Sequence, residues 1–457
     1  MNLKFSAALD PNFQPMELVL REFEAQVRAN PSQRLSIALE RHNHFCERFD
    51  FDILADGVDD ERNFSVVERY VKTLLWVFGG WKIHVCGSRA VYESLHAAYR
   101  KGGLREFDAG FMARVYERPF EVAFVEDPSR MPATRHSASA VGRHLSGCRI
   151  GFDAGGSDRK VSAVIDGETV YSEEVIWHPK TQSDPEYHYQ GILESFRTAA
   201  SKLPRVDGIG VSTAGVTIGN RIMVASLFLK VSDADFERRV KNIYLDAARE
   251  LGPDIPIEVA NDGDVTALAG AMDLDQNGIL GIAMGTSEAG GYVDPNGNIT
   301  GWLNELAFAP VDFCAGAAVD EWSGDYGCGV KYFSQDGIIK LAPAAGIELD
   351  EGLTPAEKLT IVQKHMAQGD PRAAKIYETI GTYFGYALAY YARFYDFRHV
   401  LIMGRVTSGE GGVILLNRAR DVLQGEFPEL AGRIALNIPD ESSRRVGQSI
   451  AAASLPE

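Results

Sequence analysis

Four short stretches carry the residues best suited to chemistry. The first, IGFDAGGSDRK, runs from Ile150 to Lys160. Asp153 closes an apolar run, Gly155 and Gly156 follow, then Ser157 and the basic pair Arg159 and Lys160. Glycines let a backbone turn approach a ligand closely, and the N–H groups of such a turn can wrap an anion. Asp153 is ill suited to face a bare phosphate but can hold Mg2+ through water. Lys160, or Arg159, would bring positive charge to the phosphates. Read alone, a glycine-rich hairpin with no ligand is the simpler account.

The second stretch is IEVANDGDVTALAG at 257–270. Asp264 suits the N-cap of the helix that follows. Asn261 and Asp262 are less well explained by capping. A carboxylate beside a substrate hydroxyl can act as general base, and the adjacent Asn261 can hold a second hydroxyl. The third stretch, MGTSEAGGYVDPNGNITG at 284–301, reads as strand, glycine-rich turn and strand, with Gly285, Thr286 and Ser287 placed to cradle a second phosphate. The fourth, LIMGRVTSGEGG at 401–412, leads a strand into a glycine-rich loop at Gly404 that suits close approach of a nucleoside. His42-x-His44-x-Cys46 has metal-like spacing but reads as ordinary histidines. The segment TQSDPEYHYQ at 181–190 reads as a surface loop, with a sugar-facing role for Tyr187, His188 and Tyr189 as the alternative.

These stretches need elements to hold them. Strands read at 149–155, 206–215, 257–264, 279–291 and 399–406, and helices at 190–202, 233–250, 265–272 and 371–395. Strands alternating with helices argue an α/β sheet with parallel elements, and chemistry in such sheets collects at the C-terminal ends of strands. Each of the four stretches lies at such an end. An earlier region reads as mixed α/β, with helices at 65–77 and 91–100 and strands at 81–86 and 120–125. Between the two, Asp127 to Gly147 is rich in Pro, Ser, Gly and Ala and reads as a linker.

The chain has 457 residues, enough for two or three domains. Hydrophobic and charged fractions of 45% and 24% are ordinary for a globular protein. The formal charge is -17, which argues against nucleic acid as the main partner. Residues 1–148 are close to neutral, so nearly all the excess acid lies beyond them. No apolar run is long enough for a membrane span, the first residues do not read as a signal peptide, and five cysteines, an odd number, suit a reducing cytoplasm better than a disulfide framework.

The order of the four stretches resembles the sugar kinase, actin and heat-shock ATPase superfamily, and within it the ROK family (repressors, open reading frames and kinases). DAGGSDRK is similar to the superfamily's Asp-x-Gly-Gly-Thr-x-x-Arg/Lys phosphate motif. VANDGDVTALAGA is similar to the ROK Glu-Asn-Asp-Ala-Asn-Ala-Ala-Ala stretch, AMGTSEAGGYVDPNG to its second glycine-rich motif, and LIMGRVTSG to its adenosine motif. The resemblance covers about residues 149–440. It implies an α/β chain with duplicated ribonuclease H-like (actin-like ATPase) domains at 148–270 and 271–457, a cleft between them, and an N-terminal α/β extension at 1–147.

By position, the resemblance gives Asp153 the water-mediated Mg2+ contact. Gly155, Gly156, Ser157 and Lys160 fall to the phosphates, Gly285 and Thr286 to the γ-phosphate, and Gly404 to the nucleoside. Asp262 becomes the base, while Asn261 and Glu305 contact sugar. The implied activity is ATP-dependent phosphorylation of a carbohydrate hydroxyl, without membrane or nucleic-acid partners; a homodimer is left open. Three positions depart from the family. Phe308 stands where a zinc-ligating His is usual, and Cys314 and Cys328 alone do not make a closed zinc site, so structural zinc is not expected. Asp158 and Glu288 add carboxylates near the phosphate loops, where they oppose phosphoryl transfer unless they bind Mg2+ or point away. A weakened sugar- or nucleotide-binding sensor is therefore one alternative. A ROK-type transcriptional regulator is another, although residues 1–148 show no helix-turn-helix signature.

Overall fold

The computed structural model describes residues 3–136, 141–439 and 441–457. The chain opens with α1 (Met16–Ala29), the hairpin of β1 (Ser32–Glu40) and β2 (Cys46–Leu54), α2 (Asp60–Phe78), β3 (Lys82–Cys86), α3 (Arg89–Tyr99), α4 (Glu106–Tyr116) and β4 (Glu121–Phe124). The strands form one sheet in the order β2-β1-β3-β4. α2 begins where the Asp59 side chain accepts from the Arg62 amide, carries Asp60 and Glu61 in its first turn, and stops at Gly79, whose φ of 79° suits glycine. The helices and strands expected around 65–125 form, while β1 and β2 went unread.

This region shares a hydrophobic core with later parts of the chain: Val67, Leu74 and Trp76 belong to one buried cluster with Tyr332, Phe384 and Ile402. A buried charge cluster reinforces the junction. Asp325 accepts from Arg69 Nη1 at 2.7 Å and Lys72 Nζ at 2.6 Å, and pairs with Arg105 Nη1 at 2.8 Å. These cations outweigh burial and hold its carboxyl well below the usual carboxylate range. Four residues of the expected linker, 137–140, lie outside the described residues. Its flanks are tied down, with Arg135 paired to Cys46 and Gly142 donating to the Leu455 carbonyl.

The middle of the chain supplies β5 (Cys148–Ala154), β6 (Asp158–Ile165), β7 (Glu168–Ile176), α5 (Pro185–Ala200), β8 (Gly208–Thr213), β9 (Val216–Ile218), β10 (Arg221–Val224), α6 (Asp233–Asp235), α7 (Ile243–Arg249), β11 (Ile257–Asn261) and α8 (Asp262–Leu274). The main sheet has the order β11-β8-β5-β6-β7. β5, β6 and β7 run antiparallel, whereas β8 and β11 run parallel to β5. Ile150 and Phe152 on one face join a core with Phe196 and Tyr244. The helix expected over 233–250 is interrupted by a π turn at Phe236–Val240. The Lys241 carbonyl there accepts from Ile222 on β10, which draws the backbone out of the helical ladder.

The rest comprises β12 (Ile279–Met284), β13 (Glu288–Val293), α9 (Gln335–Leu341), α10 (Pro355–Ala367), α11 (Pro371–Tyr391), β14 (His399–Met403), α12 (Glu410–Glu426), α13 (Pro428–Ala431), β15 (Ala435–Asn437) and α14 (Glu441–Ala453). Its sheet has the order β13-β12-β14-β15. α14 leaves that sheet and packs on β5 and β8. A Cβ added at Gly151 or Gly210 would collide with its backbone, and Ser162 donates to Ser449 at 2.8 Å. Small residues on this face of the β11-β8-β5-β6-β7 sheet let the helix approach.

Candidate active site

The β5–β6 hairpin places the first glycine turn. Asp153 pairs across the sheet with Lys160 on one side and Ser212 on the other. Its Oδ1 accepts from Ser212 Oγ at 2.8 Å and Gln448 Nε2 at 3.2 Å, and its Oδ2 lies 3.8 Å from Lys160 Nζ. Burial pushes its pKa up to about 6; Ser212 and Lys160 oppose the rise, and the charges of Asp262 and Asp158 add to it. The turn itself is Gly155-Gly156-Ser157. Trp177 Nε1 donates to the Gly155 carbonyl at 2.8 Å and fixes it. A Cβ on Gly155 would come within 2.8 Å of the Asp158 carbonyl, and one on Gly156 would meet Lys180 Nζ at 3.3 Å, so Lys180 lies over the turn. Asp158 pairs with Lys160 at 2.9 Å. Arg159 points to the other side of the sheet, where it pairs with Glu194 at 2.7 Å.

Asp262 opens α8 where β11 ends. The cap is Asn261, not Asp264: the Asn261 side chain accepts from the Gly263 amide at 2.7 Å and donates to the Gly215 carbonyl at 2.9 Å. The helix therefore starts before Asp264, which turns inward. There it accepts from the Tyr292 amide at 3.0 Å and Asn304 Nδ2 at 2.8 Å, and burial pushes its pKa up to about 7. Burial also raises the Asp262 pKa, opposed by the Gly263 amide and by the charge of Lys180. Glu305 reaches about 7, raised first by burial and then by the charges of Asp262 and Asp264. These three carboxyls share one electrostatic neighbourhood, and their protonation is coupled.

The second turn lies between β12 and β13. The Gly285 amide donates to the Ser287 carbonyl at 3.0 Å, and a Cβ on Gly285 would meet nothing closer than 3.8 Å, so that face with Thr286 stays open. Gly404, with φ 101°, follows the adjacent β14; any side chain there would strike the Met284 backbone. The end of β14 is thus held against the end of β12. Glu288 points away from the turn. It is 3% exposed, accepts from Tyr391 at 3.4 Å, and burial pushes its pKa up to about 8. Phe308 stacks on Trp76.

No family model and no curated protein matches the sequence. Solved structures do match. A ROK hexokinase from Thermus thermophilus aligns with a TM-score of 0.50 and 18% identity over 67% of this chain and 97% of that one. A ROK family transcriptional regulator, described as a homologue of the E. coli MLC protein, aligns with a TM-score of 0.53 and 18% identity over 68% and 79%. The chain has the ROK fold.

Within this ROK fold a cleft of about 270 Å³ opens beside Asn261. One side is the hairpin of β9 and β10 with the end of β11, another is the segment Thr300–Leu303, and a third is the Arg41–Phe45 turn of the first region. Sequence reasoning missed that turn, along with Lys180, Ser212 and Gln448. The VST ending of β8 was the one available signal, since it repeats the strand-end pattern of the other sites. Lys180 and the turn reach the site only through tertiary folding. The segment 181–190 is not a loop facing ligand: Asp184 caps α5, and His188 is fully buried with its ring nitrogens 3.2 and 3.0 Å from the Asp184 and Pro179 carbonyls. No helix among the described residues is long and apolar enough to cross a membrane.

Proposed function

We propose that the chain is a ROK-family, ATP-dependent carbohydrate kinase with Asp262 as general base. The observation that carries this reading is Lys180: one ammonium lies over the Gly155–Gly156 turn and acts electrostatically on Asp262. A phosphate at the turn and a hydroxyl at the base would then face the same space. The order of the two sheets supports duplicated actin-like domains, since β5 and β12 each have an antiparallel hairpin partner on one side and parallel strands on the other. We assign residues 148–270 and 271–457 to those domains, with α14 crossing back to the first, and 1–147 to an N-terminal extension.

In the reaction, Asp262 accepts the proton of a sugar hydroxyl as the hydroxyl oxygen attacks the γ-phosphorus in line, and the bond from that phosphorus to the β–γ bridging oxygen breaks to release ADP. Asn261 and Glu305 orient neighbouring hydroxyls. Amides of the 155–157 turn and of Thr286 take phosphate oxygens beside the open face of Gly285, Lys180 and Lys160 add positive charge, and Gly404 leaves room for the nucleoside. Most of the acceleration comes from positioning and charge neutralisation. Asp153 would suit a water-mediated Mg2+ contact: burial raises its pKa most, the charges of Asp262 and Asp158 add to the rise, and a divalent cation would relieve that crowding of carboxylates. When bound there, the ion would supply charge neutralisation on the transferring phosphoryl group.

ADP release screened over hexoses, amino sugars and polyols tests the reading. One sugar should stimulate release, and Asp262→Ala should lower it by about 10²–10⁴-fold while the fold is kept. Unchanged turnover in that variant rules out the assignment. A second reading, a sensor that binds without turnover, is favoured by the Lys160–Asp158 pair, which partly spends that cation. Calorimetric binding of ATP and sugar with no ADP release would favour it.

A further inference from the structure

The cleft beside Asn261 has a wall that the strands of the two later sheets do not supply. It is the turn between β1 and β2, Arg41–Phe45, backed by Tyr116 at the end of α4. The turn is held in place. Arg41 is 3% exposed, donates from Nη1 to the Gly301 carbonyl at 3.1 Å and from Nη2 to Glu47 at 3.2 Å, and its own carbonyl accepts from Trp81 Nε1 at 3.2 Å. The His42 ring lies edge-on to Phe45 at 5.3 Å and stacks toward Tyr116 at 6.4 Å. Two consecutive non-glycine residues, Asn43 (φ 53°) and His44 (φ 58°), then adopt left-handed backbone. Such pairs persist where surrounding structure enforces them, often at binding sites. Here the result is that Asn43 lines the cleft while remaining exposed.

The lining defines a ligand chemistry. Phe45, Tyr116 and Trp302 offer aromatic surface to the C–H faces of a sugar ring. Asn43, Thr217 and Thr300 offer groups that hydrogen-bond hydroxyls. Among the described lining residues the only Lys or Arg is Arg41, which is matched by Glu47. Glu258 and Asp264, also in the lining, have amide partners rather than cations. An anionic ligand would find no unpaired Lys or Arg among these lining residues to offset its charge.

We propose that the Arg41–Phe45 turn is the outer wall of the acceptor-sugar site and that Asn43 selects an uncharged, polyhydroxylated ligand there, against sugar acids and sugar phosphates. The identification of the cleft as the acceptor site rests on the kinase reading above; the wall and its charge preference rest on the cleft itself.

Calorimetry without nucleotide tests this, with glucose, N-acetylglucosamine and maltose as neutral probes and gluconate and glucose 6-phosphate as anionic ones. At least one neutral probe should bind, and the anions should bind more weakly. Asn43→Gly keeps the left-handed backbone and removes the amide, so its unfolding transition should stay in place while neutral-sugar affinity falls about tenfold. In the ADP-release assay the same variant should raise the sugar KM and leave the nucleotide KM where it was. Unchanged sugar affinity in Asn43→Gly, tighter binding of either anion, or no binding of any neutral probe overturns the proposal. Neutral-sugar binding that Asn43→Gly weakens, with no ADP release, supports the wall while sinking the kinase reading. ADP release with an unchanged sugar KM in Asn43→Gly does the reverse.

Discussion

Trp76 lies against Phe308 with ring centroids 4.3 Å apart and planes 30° from parallel. The stack joins the last turn of α2 to the segment carrying Glu305. Two backbone bonds run beside it: the Asn304 amide donates to the Val77 carbonyl at 3.0 Å and the Glu305 amide to the Trp76 carbonyl at 2.9 Å. The otherwise unpaired carbonyls at the end of a first-region helix therefore position a candidate sugar contact. Trp76 is fully buried and its Nε1 donates to Asp108. Trp76→Ala should lower unfolding free energy by about 3–5 kcal/mol and weaken sugar response, read by denaturant titration and by ADP release. Stability within about 0.5 kcal/mol of the parent would mean that the stack contributes little.

Lys180 is exposed, so its replacement tests function with little structural disturbance. Lys180→Met should raise the nucleotide KM about tenfold or more, the scale of one charge-assisted hydrogen bond. The unfolding midpoint should not move. An unchanged nucleotide KM would remove Lys180 from the phosphate site.

Buried carboxyls set a pH dependence. In the folded chain burial pushes Glu288 up to about 8, Asp264 and Glu305 to about 7, and Asp153 to about 6, each above its ordinary carboxylate value. The folded state thus binds these protons more tightly than the unfolded state does. The stability these groups contribute is fully present where both states are protonated and is lost as pH rises through the folded values, across about pH 5 to 8. Urea midpoints should fall over that window. Glu288→Gln keeps an acceptor for Tyr391 and removes one of these groups, so its midpoint should exceed the parent's most clearly near pH 8 and fall less steeply with pH. A parent-like slope in the variant would show that Glu288 does not titrate in this range.

Gly210 is where α14 meets β8. A methyl there would collide with the Ala452 backbone. Gly210→Ala should cost about 1–3 kcal/mol by overpacking. It should also shift the helix that carries Gln448 away from Asp153, so hydrogen exchange in α14 should quicken. Protection equal to the parent's would show that the helix accommodates the methyl.

Much of the site was legible because its signals are local. DAGGSDRK codes a strand, a turn and a return strand in eleven residues with their flanks, and the hairpin forms there. Asn261-Asp262 marks a strand end and helix start by composition alone, although both acidic residues of that stretch compete with Asn261 for the cap and the sequence does not rank them. Glu288 looked obstructive in the glycine loop, but strand alternation turns it to the core side, a fact set by register. β1 went unread because Leu35–Leu39 are all buried, which erases the alternation that marks a half-exposed strand. Lys180 carries no local mark, and Asn43 sits between two histidines whose spacing pointed toward a metal rather than a sugar. Each reaches the site because a distant element folds over it.

Gln448 donates to Asp153 across 295 residues of sequence. At about 5–20 residues per second, a ribosome takes about 15–60 s to make the chain between them. For that interval the nascent β5 and β8 have no α14 to cover Gly151 and Gly210. The sheet that holds β5 and β8 is thus completed late, after most of the β13-β12-β14-β15 sheet exists, and the carboxylate at its centre acquires its final partner only at that stage.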